Sequence, residues 1–148
     1  KIGVAAMLHD IGKIQISDEI LLKPGQLSRE ERKVINQHTE IGAHILEEIH
    51  ANTESNDFLP MAITIARYHH EKWDGTGYPE GLKEREIPLS ARIVSLIDIF
   101  DTLTGERCYK MAYTIEQSLL IIEECKGIYF DPDIVEVFMK IQKQLRHN

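Results

Sequence analysis

Apolar residues recur at helical spacing along most of this chain, and no run alternates long enough, in the two-residue period of a half-buried strand, to predict one. The clearest helix begins at Ser28, because Glu31 follows three residues later in the pattern of a capping box. An apolar stripe from Val34 to Ile49 extends this predicted helix to about His50. The pattern therefore predicts an all-α fold.

Further helices are predicted on both sides of one long loop. They cover residues 1–9 with an end near Gly12, then 17–22, 59–71, 90–104 capped by Ser90, 114–126 capped by Thr114, and a last helix opened by Asp131 and Pro132. Glycine and proline are dense between residues 73 and 88, which predicts a loop there. The polar stretch 51–57 predicts a shorter loop.

Length and charge limit the classes of function. A chain of 148 residues is enough for one domain. Its hydrophobic content of 43% and charged content of 28% are ordinary for a globular protein. The net charge of −7 argues against binding DNA or RNA through the phosphate backbone. It leaves room for a small nucleotide held by a few local cations.

The cysteines and the apolar runs indicate a cytoplasmic protein. Cys108 and Cys125 form neither a C-x-x-C pair nor a disulfide framework. No apolar run approaches the roughly 18 residues of a membrane span, and no signal peptide is visible, so no membrane insertion is predicted. The chain begins at Lys1 with a helical stripe already running, so we expect it to be a fragment of a longer protein.

Several polar side chains fall on faces that are otherwise apolar. His38 lies on the stripe predicted to be buried, and His69 and His70 continue the apolar face of helix 59–71. Two adjacent buried imidazoles repel when protonated, and a metal ion would hold them neutral. Asp98 lies among Ile, Leu and Val, where a carboxylate is costly unless paired or bound to a cation. Taken one at a time, such positions are more often structural: a lone buried His such as His38 is more often a core residue than a ligand.

Taken together, these side chains predict a metal centre. The candidate ligands are His9, Asp10, His38, His69, His70 and Asp98. Facing helices build metal sites from inward side chains, and His and carboxylate ligands without Cys favour Fe, Mn, Zn or Ni over a structural zinc site. Six ligands exceed one tetrahedral site, so two or more metals are predicted, with Asp10 as the bridge. Such a pair activates water and supports phosphoryl displacement.

Two motifs carry a resemblance to a known family. HDIGK at 9–13 resembles the core of the HD metal-dependent phosphohydrolases, and HHEKWDGTGYP at 69–79 resembles the long signature of one branch, the HD-GYP domains. The resemblance continues through KPG at 23–25, IPLSARI at 87–93, DIFDTLT at 98–104 and FDP at 130–132. It therefore covers essentially the whole chain.

The resemblance implies a fold, an activity and a set of site residues. It implies an HD-domain-like helical bundle with a long GYP loop, which hydrolyses cyclic di-GMP to pGpG and, in many members, to GMP. The six ligands would hold two or three divalent metal ions, Fe or Mn foremost, with Zn, Ni or Mg as alternatives. Lys13 matches the family lysine near the scissile phosphate, Arg107 and Lys110 match the basic pair that grips the substrate phosphates, and the Tyr78 hydroxyl can reach the substrate.

Secondary roles are expected for four further residues. Glu71 and Asp74 are expected to hold the GYP loop together rather than bind metal. Trp73 is expected to anchor the loop in the core, with stacking on a guanine as the alternative. Asp101 is expected to orient a neighbouring ligand.

The resemblance also leaves alternatives open. Residues 1–148 would form one HD-GYP domain truncated at its N-terminus, with an upstream helix that supplies a further ligand and any sensor domain lying outside the chain. A catalytically silent signalling module is one alternative, because some HD-GYP domains act through contacts with GGDEF-domain proteins. A phosphodiesterase for a related cyclic dinucleotide such as cyclic GMP-AMP is another. Homodimers are common among such modules.

Overall fold

The computed structural model describes residues 1–53, 57–105 and 113–146, and it is all-α as the periodicity predicts. Over these ranges there is no strand, only an isolated bridge between Lys126 and Phe130. Two 3₁₀ turns, Ile11–Gln15 and Glu84–Glu86, interrupt the helices. The helices are α1 Ile2–Ala6, α2 Asp18–Leu21, α3 Arg29–Asn36, α4 His38–Ala51, α5 Leu59–Tyr68, α6 Leu89–Thr104, α7 Ile115–Glu124 and α8 Pro132–Arg146.

The prediction of one helix from Ser28 to about His50 is wrong, because the helix is interrupted at Gln37, which separates α3 from α4. The capping box at the start of α3 is confirmed: Ser28 Oγ accepts from the Glu31 amide at 3.1 Å. At the break, side chains of α4 bond to the last carbonyls of α3. His38 Nδ1 lies 2.7 Å from the Ile35 carbonyl oxygen, and Thr39 Oγ1 lies 3.1 Å from that of Asn36. These bonds replace main-chain helical bonds and turn His38 into the interior.

Other helix boundaries differ from the predictions by a few residues. Helix α5 ends at Tyr68, before the His pair, rather than at residue 71. Pro88 rather than Ser90 precedes the first turn of α6. The predicted cap at Thr114 is confirmed and forms a capping box with Gln117, although α7 ends at Glu124 rather than near residue 126.

The core consists of two clusters joined by α6. One cluster packs α1, α4, α5 and α6 around Ala5, Leu46, Leu59, Ala62, Ile65, Ala66 and Val94. The other packs α6, α7 and α8 around Leu96, Ile122, Phe130, Val135 and Phe138. Because Val94 and Leu96 belong to different clusters, α6 ties the two halves of the described structure together. None of the described helices is long and apolar enough to cross a membrane.

A close backbone approach fixes the turn Ile11–Gln15 against α4. A Cβ added at Gly12 would overlap the carbonyl oxygen of His38 and lie 2.5 Å from the backbone nitrogen of Gly42. Only glycine at position 12 allows this approach. It holds the adjacent residues His9 and Asp10 beside the start of α4.

Candidate metal centre

Four parts of the chain bring the six predicted ligands to one place. The backbone between α1 and the first 3₁₀ turn carries His9 and Asp10, and α4 begins with His38. The turn after α5 carries the His pair, and Asp98 lies on α6. The His38 and His69 side chains are almost completely buried, whereas Asp10 is about one third exposed, at 36%.

Backbone carbonyls fix the orientation of three imidazole rings. The Nδ1 atoms of His9 and His38 each lie 2.7 Å from a carbonyl oxygen, of Ala6 and Ile35 respectively. His69 Nδ1 lies 3.0 Å from the carbonyl oxygen of Ile65. Because a carbonyl oxygen only accepts, each Nδ1 carries a proton. Each Nε2 is thereby directed toward the cluster, which is how metal-binding histidines are commonly oriented.

The two oxygens of Asp10 face different partners. Oδ1 lies 3.3 Å from His38 Nε2 and 3.9 Å from His69 Nε2. Oδ2 lies 2.6 Å from Lys13 Nζ and 3.4 Å from His9 Nε2. The carboxylate therefore stands between two groups of side chains, the arrangement that a bridging ligand requires.

The Oδ1 side of Asp10 fits a cation. Oδ1 is buried and has no hydrogen-bond partner among the described residues. The Nε2 atoms of His38 and His69 lie 3.4 Å apart, and with their protons on Nδ1 they present two lone pairs to each other and to Oδ1. Three acceptors that converge without a proton between them are costly to bury, and a metal ion would stabilise them. His70 completes this group, whose ligand atoms all lie within 4.8 Å of one another.

His9 and Asp98 lie on the other side of Asp10. His9 Nε2 is 3.6 Å from Asp98 Oδ1. Hydrogen bonds with Asp10 and Asp98 raise the pKa of His9 to about 10, against the opposing effect of burial. In the metal-free protein His9 is therefore protonated, and its imidazolium is the cation between the two carboxylates. The same carboxylates would attract a metal cation in its place.

The other three histidines of the cluster, His38, His69 and His70, are kept neutral. Burial, together with the nearby His9, lowers the pKa of His69 to about 4, and burial with the nearby His69 lowers that of His70 to about 3. Burial also lowers the pKa of His38. Burial opposes ionisation of Asp10, but hydrogen bonds from His9 and Lys13 outweigh it and hold the pKa of that carboxyl well below its usual range. Neutral imidazoles and an ionised carboxylate are the protonation states that bind metal.

Tyr78 lies beside this cluster. Its ring stacks on that of His70, with centroids 4.9 Å apart and an angle of 30° between the planes. Burial raises the pKa of Tyr78, and the negative charges of Asp10 and Asp98 raise it further. The hydroxyl therefore stays protonated and can donate a hydrogen bond.

A cavity opens on the His9 side of the cluster. It has a volume of about 320 Å³ and lies between α1 and α6, with Asp98 and Asp101 on its wall. Asp101 is exposed and lines the cavity one turn from Asp98. Arg107 and Lys110, the predicted substrate-binding pair, lie outside the described residues.

The loop contacts expected of Glu71 and Asp74 are confirmed. Glu71 accepts from the Glu80 and Gly81 amides, and Asp74 accepts from Thr76. The Trp73 amide donates to the Tyr129 carbonyl, but this main-chain bond does not involve the indole, so the anchoring role of the Trp73 side chain stays a prediction.

Sequence reasoning missed the contact of Gly12 with α4, which sets the position of the His-Asp pair. The only signal was a glycine two residues after Asp10, and its partner on α4 cannot be found from the sequence.

Comparisons with known proteins agree with the motifs. The sequence model of a family described as "HD domain" matches residues 1–134. A cyclic di-GMP phosphodiesterase of Thermotoga maritima is 46% identical over 145 residues, which are 98% of this chain and 38% of that protein. A 3'3'-cGAMP-specific phosphodiesterase 2 of Vibrio cholerae is 41% identical over 136 residues, 92% of this chain and 25% of the relative.

A solved structure shares the fold. The crystal structure of a cyclic GMP-AMP specific phosphodiesterase of V. cholerae, V-cGAP3, matches with a TM-score of 0.62 at 22% identity, over 98% of this chain and 38% of that one. The chain thus spans well under half the length of the relatives described here.

Proposed function

The chain belongs to the HD-domain family, and on that premise we propose that it is the catalytic part of a metal-dependent phosphodiesterase that hydrolyses cyclic di-GMP to pGpG, GMP or both. One observation carries the proposal: the buried Oδ1 of Asp10 faces the Nε2 lone pairs of His38 and His69 with no proton between them. The choice of cyclic di-GMP as the substrate rests on relatives that are named cyclic di-GMP phosphodiesterases.

The proposed ligands divide around Asp10. His38, His69 and His70 would bind with Oδ1 on one side, and His9 and Asp98 with Oδ2 on the other. Two or three divalent ions are proposed, Fe or Mn foremost. Bound there, such ions would polarise the phosphate and make water acidic enough to act as a nucleophile near neutral pH.

Two further side chains would act on the substrate directly. Lys13 Nζ lies 2.6 Å from Asp10 Oδ2, and its side chain is 41% exposed, so it can reach a phosphate bound above the cluster. There it would stabilise developing negative charge or protonate the leaving oxygen. The neutral Tyr78 hydroxyl would donate to the substrate. Arg107 and Lys110 are proposed to hold the phosphates, on the strength of the motif resemblance alone.

Cyclic GMP-AMP is the second candidate substrate. It is favoured by relatives named as 3'3'-cGAMP-specific phosphodiesterases, one of them 41% identical to this chain. The following stay predictions: a cytoplasmic location, GGDEF-domain partners, homodimers, the silent signalling module and the domain boundaries 1–148.

The test is turnover by the full-length protein, purified without oxygen and loaded with Fe or Mn. Cyclic di-GMP and cyclic GMP-AMP are supplied separately, and the products are separated by chromatography. A higher kcat/KM for cyclic di-GMP supports the proposal, and a higher value for cyclic GMP-AMP supports the second candidate. Bound metal with no turnover of either substrate would contradict both and favour the silent module.

A matched pair of histidines on α4 controls this experiment. His38→Ala is expected to abolish both metal binding and turnover, because it removes a buried ligand. His44→Ala is expected to keep both, because the His44 side chain is 70% exposed and its ion pairs in the described part of the chain are with Glu47 and Glu48 on its own helix. Equal effects of the two changes would contradict the assignment of His38.

A further inference from the structure

A buried carboxylate that the proposed chemistry does not use lies directly after the His pair. Glu71 is only 2% exposed. Its Oε1 accepts two main-chain hydrogen bonds, from the Glu80 amide at 2.7 Å and from the Gly81 amide at 3.0 Å. Its Oε2 is buried with no hydrogen-bond partner among the described residues. Burying a carboxylate is costly unless it accepts good hydrogen bonds, so these two bonds stabilise Glu71 in its buried position.

Those two bonds close a short loop over the His pair. The loop runs from His70 to Gly81, and Tyr78 donates its amide to the His70 carbonyl at 3.3 Å. Gly77 packs so closely that a Cβ there would lie 2.5 Å from the Glu71 Cα. The Tyr78 ring is thereby held against the His70 ring.

Other contacts hold different parts of this loop. The Trp73 and Asp74 amides bond to the carbonyls of Tyr129 and Ile128, at 3.1 and 2.9 Å, and so fix its first part. On the far side, the Tyr68 hydroxyl bonds to the Glu80 carboxylate at the surface, at 3.0 Å. Among the described residues, Glu71 is therefore the buried link to the main chain that follows Tyr78.

We propose that Glu71 is a positioning residue, which holds the Glu80 and Gly81 amides and so fixes Tyr78 against His70, where its hydroxyl meets the cyclic dinucleotide. The inference rests on the proposed function and adds to it a residue that acts on substrate binding only through Tyr78.

The kinetic test uses full-length protein loaded with Mn and cyclic di-GMP as substrate. Glu71→Ala is expected to raise KM about tenfold, the effect of losing one polar contact to a ligand, with a smaller change in kcat. Tyr78→Ala is expected to raise KM by a similar factor. The double variant should lose no more than either single one, because both remove the same contact. A double variant with a loss of about a hundredfold would overturn the proposal, since independent effects multiply.

Conservative variants separate the hydrogen bonds from the charge. Glu71→Gln keeps an oxygen that can accept both amides, so KM should stay within about twofold of wild type. Glu71→Asp keeps the charge but shortens the side chain, so it should raise KM as Glu71→Ala does. This variant also serves if Glu71→Ala does not fold. The reverse order, a normal Asp variant and an impaired Gln variant, would contradict the proposed role.

Asp74→Ala is the matched control within the same loop. Asp74 Oδ1 accepts two bonds from Thr76, at 2.9 and 2.7 Å, but it is exposed and its bonds stay within three residues. We expect Asp74→Ala to leave KM within about twofold of wild type. A rise equal to that of Glu71→Ala would show a general response to loop damage and would overturn the proposal.

A proteolysis measurement on the same proteins does not depend on activity. Cleavage after Glu80 by a glutamate-specific protease should be at least about tenfold faster in Glu71→Ala than in wild type or Asp74→Ala, because local opening exposes that bond. If Glu71→Ala is cleaved faster but the wild type does not turn over cyclic di-GMP, the proposed function alone is refuted. If Glu71→Ala is cleaved no faster than the wild type and the wild type does turn over cyclic di-GMP, the role of Glu71 alone is refuted.

Discussion

Replacing Gly12 with alanine should separate the turn that precedes the metal cluster from α4. The added Cβ would overlap the His38 carbonyl oxygen and lie 2.5 Å from the Gly42 backbone nitrogen. Both neighbours are main-chain atoms of one helix, so neither can move aside by rotating a side chain. The turn or the helix must shift, and His9 and Asp10 move with the turn.

The size of the effect follows from this geometry. An extra methyl group in a packed interior costs about 1–3 kcal/mol of the free energy of unfolding, and main-chain neighbours place Gly12→Ala at about 3 kcal/mol or more. A Cβ at Gly42 would lie 3.1 Å from the Gly12 nitrogen. The cost of this close contact is partly offset by the higher helix propensity of alanine, so Gly42→Ala should lower the free energy of unfolding by about 1 kcal/mol or less. A Cβ at Gly3 meets nothing within 4 Å, so Gly3→Ala should stabilise by up to about 1 kcal/mol.

Urea unfolding measures this series. Trp73 is the single tryptophan, so its fluorescence reports the transition, and metal content is measured on the same samples. We expect stability to fall in the order Gly3→Ala, Gly42→Ala, Gly12→Ala, and metal to be lost in the last. A Gly12→Ala protein with wild-type stability and full metal content would refute the claim that this contact sets the site.

Further predictions concern one helix cap and the buried imidazoles. Thr114→Ala removes the capping box with Gln117 and should lower the free energy of unfolding by about 1 kcal/mol with metal content unchanged, as measured by urea unfolding. In metal-stripped protein, the pKa of His69 is lowered to about 4 and that of His70 to about 3, from 6.5 in the unfolded chain. These two imidazoles should therefore leave the free energy of unfolding unaffected above pH 6.5 and lower it as the pH drops toward 4, by on the order of 3 kcal/mol for His69 alone. His9, with a pKa of about 10, has its effect on the alkaline side of 6.5 instead, where stability falls as the pH rises. Equal urea midpoints at pH 7 and pH 5 would contradict the neutral state of the two buried imidazoles.

Local signals in the sequence predicted local structure well. The predicted caps at Ser28 and Thr114 are both present, because a cap depends on residues three apart. The Gly- and Pro-rich segment from Trp73 to Pro88 forms the predicted loop, and its only helical element is the 3₁₀ turn Glu84–Glu86.

The break at Gln37 could not be predicted from periodicity. The apolar stripe continues through it, and the break depends on side-chain bonds from His38 and Thr39 to the carbonyls before them. Those bonds form where both side chains are buried, and burial is decided by the rest of the fold. The sequence indicated that His38 is buried but not that the helix begins there.

The candidate ligands were identifiable as a set before their geometry was known. Polar side chains on apolar helical faces singled out His38, His69 and Asp98, and the structure brings them to one cluster. The two-sided contacts of Asp10 agree with the predicted bridge. Which imidazole nitrogen faces the cluster could not be predicted, because it depends on the backbone carbonyl that each Nδ1 meets.

Metal content per chain tests the central claim most directly. The full-length protein is purified without oxygen and analysed for elements beside the Asp10→Ala variant. We expect two or three equivalents of Fe or Mn in the wild type and fewer than one in the variant, because Asp10 contacts both groups of ligands. No metal in the wild type, or equal metal in the two proteins, would contradict the assignment of this cluster as a metal centre.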